Sequence, residues 1–161
     1  MELAYVRKAR LMLCENSDSI RCNALKGLHV LCDDRAVIAY MFKHKYDIFI
    51  IRSFEGTASS SEEKTLALKL ILKIIEVSPD LVSRDIANSL SAVASYRKDE
   101  CRLQALSVLR LLASRNPLVA SQTFVLITLS DAVLDQECKA FKASIILTLL
   151  QLLDSPDTRR L

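Results

Sequence analysis

An apolar stripe at helical spacing returns four times along this chain. It is written by Ala24, Gly27, Leu28 and Leu31; by Ala67, Leu70, Ile71 and Ile74; by Ala105, Val108, Leu109 and Leu112; and by Ile146, Leu149, Leu150 and Leu153. Each set stands at i, i+3, i+4 and i+7, which places it on one face of a helix. The residue after each opening position is leucine: Leu25, Leu68, Leu106 and Leu147. The stripes begin 43, 38 and 41 residues apart. Helical repeats of the HEAT and armadillo kind recur every 40 to 47 residues or so. A single such unit cannot bury its face alone, so the pattern demands a stack of helices.

Punctuation follows the stripes. Ser78-Pro79, Asn116-Pro117 and Ser155-Pro156 come after the second, third and fourth, and Asp34 takes the corresponding place after the first. Ser, Asn and Asp side chains accept hydrogen bonds from unpaired first-turn amides. Proline suits the next position, where no amide partner is needed. Each pair is therefore expected to end one helix and open another with almost no loop between them.

The remaining composition agrees with helices. Two glycines in 161 residues leave no Asn-Gly or Asp-Gly pair for hairpin turns. About half the residues are hydrophobic and a quarter charged, as in a folded domain. The reading is an all-α chain, an armadillo- or HEAT-like right-handed α-solenoid fragment of about four helical repeats. It forms one repeat domain over 1–161, with repeats near 18–58, 59–98 and 99–135 and partial ones at 1–17 and 136–161. The segment before Asn16 reads as the last helix of an earlier repeat. "SPDTRRL" stops just after a new helix is announced, so both ends are expected to be cut from a longer chain.

"RAVIAYMFKHKYDIFIIRSF" reads as two short helices broken near His44, and two-helix and three-helix repeats both stay open. "RDIANSLSAVASY" sets Ile86, Leu90 and Val93 on one side and Asn88, Ser91 and Ser95 on another. "QTFVLITLSDAVL" is apolar nearly all round, a pattern that predicts a helix covered on two sides. "EGTASSSEE" is the linker-like stretch, in which Ser60 and Glu63 match a capping box and Ser59 and Glu62 a shifted one. Ser59, Ser60 and Ser61, beside Glu62 and Glu63, are candidates for an acid-directed kinase.

No constellation of catalytic groups emerges. His29 and Cys32 lie three apart on one helix, but no further zinc ligands accompany them, so a rim histidine beside a core cysteine is the reading adopted. A small helical enzyme or metal protein using that pair is the competing class. Gly27 and Gly56 are too far apart for a phosphate-binding loop. No cofactor and no metal is expected. The five cysteines form no Cys-x-x-Cys, which fits a reduced setting better than a disulfide framework. The net charge of +3 comes from short, dispersed basic runs beside acidic pairs, which argues against nucleic acid. Lys43, His44 and Lys45 read as a solvated basic turn, with anionic lipid or an acidic partner patch as the alternative. "ASIILTLLQLL", the longest uncharged stretch, is too short to span a bilayer.

The words "SIRCNALKGLHVLCDD", "SPDLVSRDIANSLSAVAS" and "LLDSPDTRR" resemble the N-terminal armadillo region of the Rictor family, the rapamycin-insensitive companions of the TOR kinase. The likeness runs in order over essentially the whole chain. It implies a non-enzymatic scaffold of TOR complex 2, which supports phosphorylation of AGC-family kinases in growth and cytoskeletal signalling. It further implies the TOR kinase and a Sin1-like subunit as protein partners, and a cytoplasmic location with recruitment to the plasma membrane through the complex. The competing scaffold reading is a HEAT or armadillo adaptor of another assembly, in trafficking or chromosome organisation.

Overall fold

The computed structural model describes residues 2–56 and 59–154. Among these the chain is all helical, without strands, and solenoid-like in its succession of packed helices. Chain contacts separate two compact units, Met1–Leu81 and Val82–Leu161. The boundary falls inside the segment 59–98 that the spacing assigns to one repeat.

The first unit holds α1 (Glu2–Leu13), α2 (Asp18–Leu31), α3 (Arg35–Lys43), α4 (Tyr46–Glu55) and α5 (Ser61–Val77), then one 3-10 turn at Pro79–Leu81. The two striped helices α2 and α5 pack on each other, with α1 against α2 and α4 against α5. Ala24, Leu28, Ala67, Leu70, Ile71 and Ile74 are buried and Leu31 is half-buried. Each large aliphatic side chain so covered contributes about 1.5–3 kcal/mol. Gly27 faces Tyr5, whose hydroxyl donates to the Asn23 carbonyl at 3.3 Å. A Cβ at Gly27 would collide with the Tyr5 side chain, so glycine makes room for the tyrosine of α1 against α2.

The second unit holds α6 (Arg84–Ser95), α7 (Arg102–Arg115), α8 (Pro117–Ser121), α9 (Val125–Leu134), a 3-10 stretch Gln136–Phe141 and α10 (Lys142–Asp154). The striped helix α7 packs against α6, α9 and α10, burying Ala105, Val108, Leu109 and Leu112.

A buried arginine occupies the same place in both units. Arg21 stands three residues before Ala24, and Arg102 three before Ala105. Arg21 bridges Glu63 through two nitrogens, at 2.8 and 2.7 Å, and donates to the Glu15 and Asn16 carbonyls at 2.9 Å. Arg102 donates from Nε to the Ala94 carbonyl at 3.0 Å and from Nη2 to Asp135 at 2.6 Å. Each guanidinium thus ties the end of the preceding helix to an acid of a later segment. Such buried charges hold only when paired and hydrogen-bonded. Their sequence signal is Arg-x-x-Ala-Leu, in "RCNAL" and in "RLQAL".

The break near His44 is a two-residue turn in which Lys45 adopts φ 59°, the left-handed region. Lysine stands here where glycine would be unstrained.

Several sequence expectations meet a different structure. Ser78-Pro79 ends α5 but opens only the 3-10 turn; α6 is capped by Ser83, which accepts from the Ile86 amide at 3.3 Å. The Ser78 hydroxyl is buried without a hydrogen-bond partner, because the last turn of α5 is closed by its backbone. Asn116 caps a helix and accepts from the Val119 amide at 3.1 Å, with Pro117 next, but that helix, α8, is five residues long. Asp34 caps α3, accepting from the Ala36 amide at 2.8 Å. Ser60 caps α5, accepting from the Glu63 amide at 3.1 Å, yet the box is half made because Arg21 takes the Glu63 carboxylate.

On α10 the buried face is Ile145, Thr148 and Leu152, while Ile146, Leu150 and Leu153 are exposed and Leu149 half-buried. In a run this apolar the spacing alone does not select a face. Thr148 sits on the inner side because its hydroxyl donates to the Ser144 carbonyl at 3.0 Å. Ser155 and Pro156 lie outside the described residues.

Candidate interaction surface

Cys32 is fully buried with its sulfur 3.7 Å from that of Met41, and burial pushes its thiol up to about 12. A nucleophilic cysteine needs the opposite shift. His29 is half-buried on the same helix. Among the described residues no three His, Cys, Asp or Glu side chains gather as metal ligands would. None of the five cysteines is in a disulfide, and Cys14 alone among them is exposed. No described helix is long and apolar enough to cross a membrane.

What the second unit offers is a groove between α6 and α9. Asn88, Ser91, Ala92 and Ser95 line it from α6, and Phe124, Ile127, Thr128 and Asp131 from the other side, around a hollow of about 310 Å³. An adjoining hollow of about 290 Å³ continues past Ala94 and Ala132 to Arg97, Arg102, Leu134 and Asp135. The groove is held open by specific bonds. The Asn88 amide oxygen accepts from the Phe124 backbone N–H at 3.2 Å, fixing the start of α9 to α6. Ser95 and Thr128 hydroxyls meet at 3.4 Å across the floor.

Its far end is charged, with Asp135 receiving Arg102 at 2.6 Å and Arg97 at 3.5 Å. Along the walls Phe124 is 62% exposed, Ile127 61% and Leu134 82%. The apolar run of α9 is therefore not covered on two sides among the described residues, contrary to expectation. Val125, Thr128, Leu129 and Ala132 face inward. Phe124, Ile127, Asp131 and Leu134 share the outer face, at i, i+3, i+7 and i+10, and that spacing is the signal that could have disclosed it. Asp131 is exposed, and no hydrogen bond or ion pair engages it among the described residues.

Ser59 donates to the Arg52 carbonyl at 3.4 Å, and Ser60 caps α5 as described. Ser61, at the first turn of α5, is exposed.

Residues 4–161 match the family model described as "Rapamycin-insensitive companion of mTOR, N-term". The chain belongs to this family. Curated relatives include the proteins named rapamycin-insensitive companion of mTOR from Mus musculus and Homo sapiens, each 30% identical over 154 residues. Those matches cover 94% of this chain and 9% of each relative. Protein pianissimo A of Dictyostelium discoideum is 30% identical over 142 residues, covering 88% of this chain and 12% of its own. The chain thus spans about a tenth of the length of the curated relatives it matches. At that identity, Rictor-family membership rests on a match that runs over nearly the whole chain rather than on one motif.

Proposed function

We propose that this chain is part of a non-enzymatic protein-interaction scaffold, the Rictor-type subunit of a TOR complex 2, whose partners include the TOR kinase and a Sin1-like subunit. The observation that carries the reading is the open groove between α6 and α9, in a chain of the Rictor family. An exposed apolar rim over hydrogen-bonded walls is a surface that stays folded without a partner and gains by burying one. An extended segment would set aliphatic side chains against Phe124, Ile127 and Leu134 and a basic group against Asp131. The ordering of helices into repeats near 18–58, 59–98 and 99–135 belongs to the same proposal, as does a cytoplasmic assembly recruited to the plasma membrane.

The test is affinity capture of the full-length parent protein from cells, wild type against Phe124→Ala/Ile127→Asp. The expected result is loss of the Sin1-like subunit or the TOR kinase from the variant, with an unchanged melting temperature. Recovery of both at wild-type levels would remove the groove from the assembly. Capture of trafficking or chromosome-organising proteins in place of the TOR kinase would instead support the adaptor of another assembly.

A further inference from the structure

We infer that the face made by α1, α3 and the start of α4 binds a phosphorylated peptide segment through Arg7 and Arg10. This goes beyond the groove, which lies in the other unit. The two arginines stand one turn apart on α1, and each is held by an aromatic ring of another helix. The Arg7 Nε donates to the Tyr40 hydroxyl at 3.2 Å. Tyr40 in turn stacks on His44, ring centroids 4.1 Å apart. The Arg10 guanidinium lies over the Phe49 ring, 5.8 Å from its centroid. Tyr46 anchors the assembly from beneath, donating to the Val6 carbonyl at 2.7 Å. Burial and Tyr40 raise the Tyr46 phenol, while Arg10 and Arg7 oppose the rise.

What these arginines lack is an acid. Arg21, Lys26, Arg35, Lys73, Arg97 and Arg102 meet carboxylates, whereas Arg7 and Arg10 belong, with Lys8, Lys69, Lys98 and Arg115, to the described cations that do not. Among the described residues none pairs with Arg7 or Arg10, nor with Lys43 or Lys45 at the exposed turn. The one carboxylate of that turn, Asp47, is buried. Each guanidinium is engaged on one side by an aromatic side chain and offers its own planar fork of Nη donors, a geometry that suits the oxygens of a phosphate dianion. A membrane surface rewards the number of basic side chains and needs no such fixing. Exposed Ile48 and Leu11 flank the face and supply apolar contact for residues beside the phosphate.

The experiment measures retention of a degenerate phosphoserine peptide pool, and of the same pool with unmodified serine, on the immobilised chain. Binding to phosphatidylserine vesicles is measured in parallel. The phosphorylated pool is expected to be retained about tenfold better. Arg7→Gln/Arg10→Gln should erase that preference without moving the melting temperature. Arg7→Lys/Arg10→Lys keeps the charge but loses the fork, and should also lose most of it. Equal retention of both pools, or full binding by the lysine variant, would overturn the inference. So would vesicle binding without any phosphopeptide preference, which would make the face a membrane contact.

Discussion

Arg21 reaches across 42 positions of sequence to hold Glu63 through two hydrogen bonds, with both side chains almost wholly out of water. Glu63 raises the guanidinium's affinity for its proton, mainly through those hydrogen bonds. The pair clamps α2 to α5, and the same guanidinium closes the end of α1. Removing one partner leaves the other buried and unpaired. Glu63→Ala or Arg21→Ala is expected to lower stability by about 3–5 kcal/mol. The double change Arg21→Met/Glu63→Leu should be milder than either, because no orphaned charge remains. Urea unfolding of all the variants checks this, and additive losses would show that the two side chains do not act as a unit.

The two serines around Pro79 have opposite fates. Ser83 caps α6, whereas the Ser78 hydroxyl is buried without a partner. Ser83→Ala should cost about 1 kcal/mol. Ser78→Ala should cost nothing or stabilise slightly, since it deletes an unsatisfied polar group. Thermal melts of both single variants decide the matter.

Lys45 turns α3 into α4 with a left-handed backbone. An L side chain there costs roughly 1–2 kcal/mol, offset in part by the larger unfolded freedom of glycine. Lys45→Gly is therefore expected to raise the unfolding free energy by about 0.5–1 kcal/mol, and Lys45→Ala to leave it nearly unchanged. A loss of stability in the glycine variant would mean that the lysine side chain itself holds the turn.

Cys32 supplies the pH dependence. Its thiol ordinarily ionises near 9.0 and is pushed to about 12 in the fold by burial, so between those values the unfolded chain has shed a proton that the folded chain keeps. Stability is fully present below pH 9 and falls as pH rises toward 12, at up to about 1.4 kcal/mol per pH unit. Cys32→Ala should flatten that slope. Thiol labelling at pH 8 gives a companion readout: Cys14 is expected to react at once and Cys32 only on unfolding.

Much of this molecule was legible in its sequence, and the reasons are local. The stripes beginning at Ala24, Ala67 and Ala105 specify helices because backbone geometry alone brings i, i+3, i+4 and i+7 to one face. Asp34, Ser60 and Asn116 cap helices because their side chains reach amides two or three residues on. Family resemblance was legible too, in polar words such as "ANSLSAVAS".

Other features depend on neighbours distant in sequence. Glu63 looks like a capping glutamate until Arg21, on another helix, takes its carboxylate. On α10 the apolar residues outnumber the positions that α7 and α9 cover, so packing rather than periodicity chose Ile145 and Leu152 over Ile146 and Leu153. The groove between α6 and α9, and the holding of Arg7 by Tyr40 and of Arg10 by Phe49, exist only where separate helices meet. Sequence by itself determined which segments are helices, because that choice is made within a few residues. Tertiary structure decided which faces and charges remain open to a partner, because burial is settled by what packs from elsewhere in the chain.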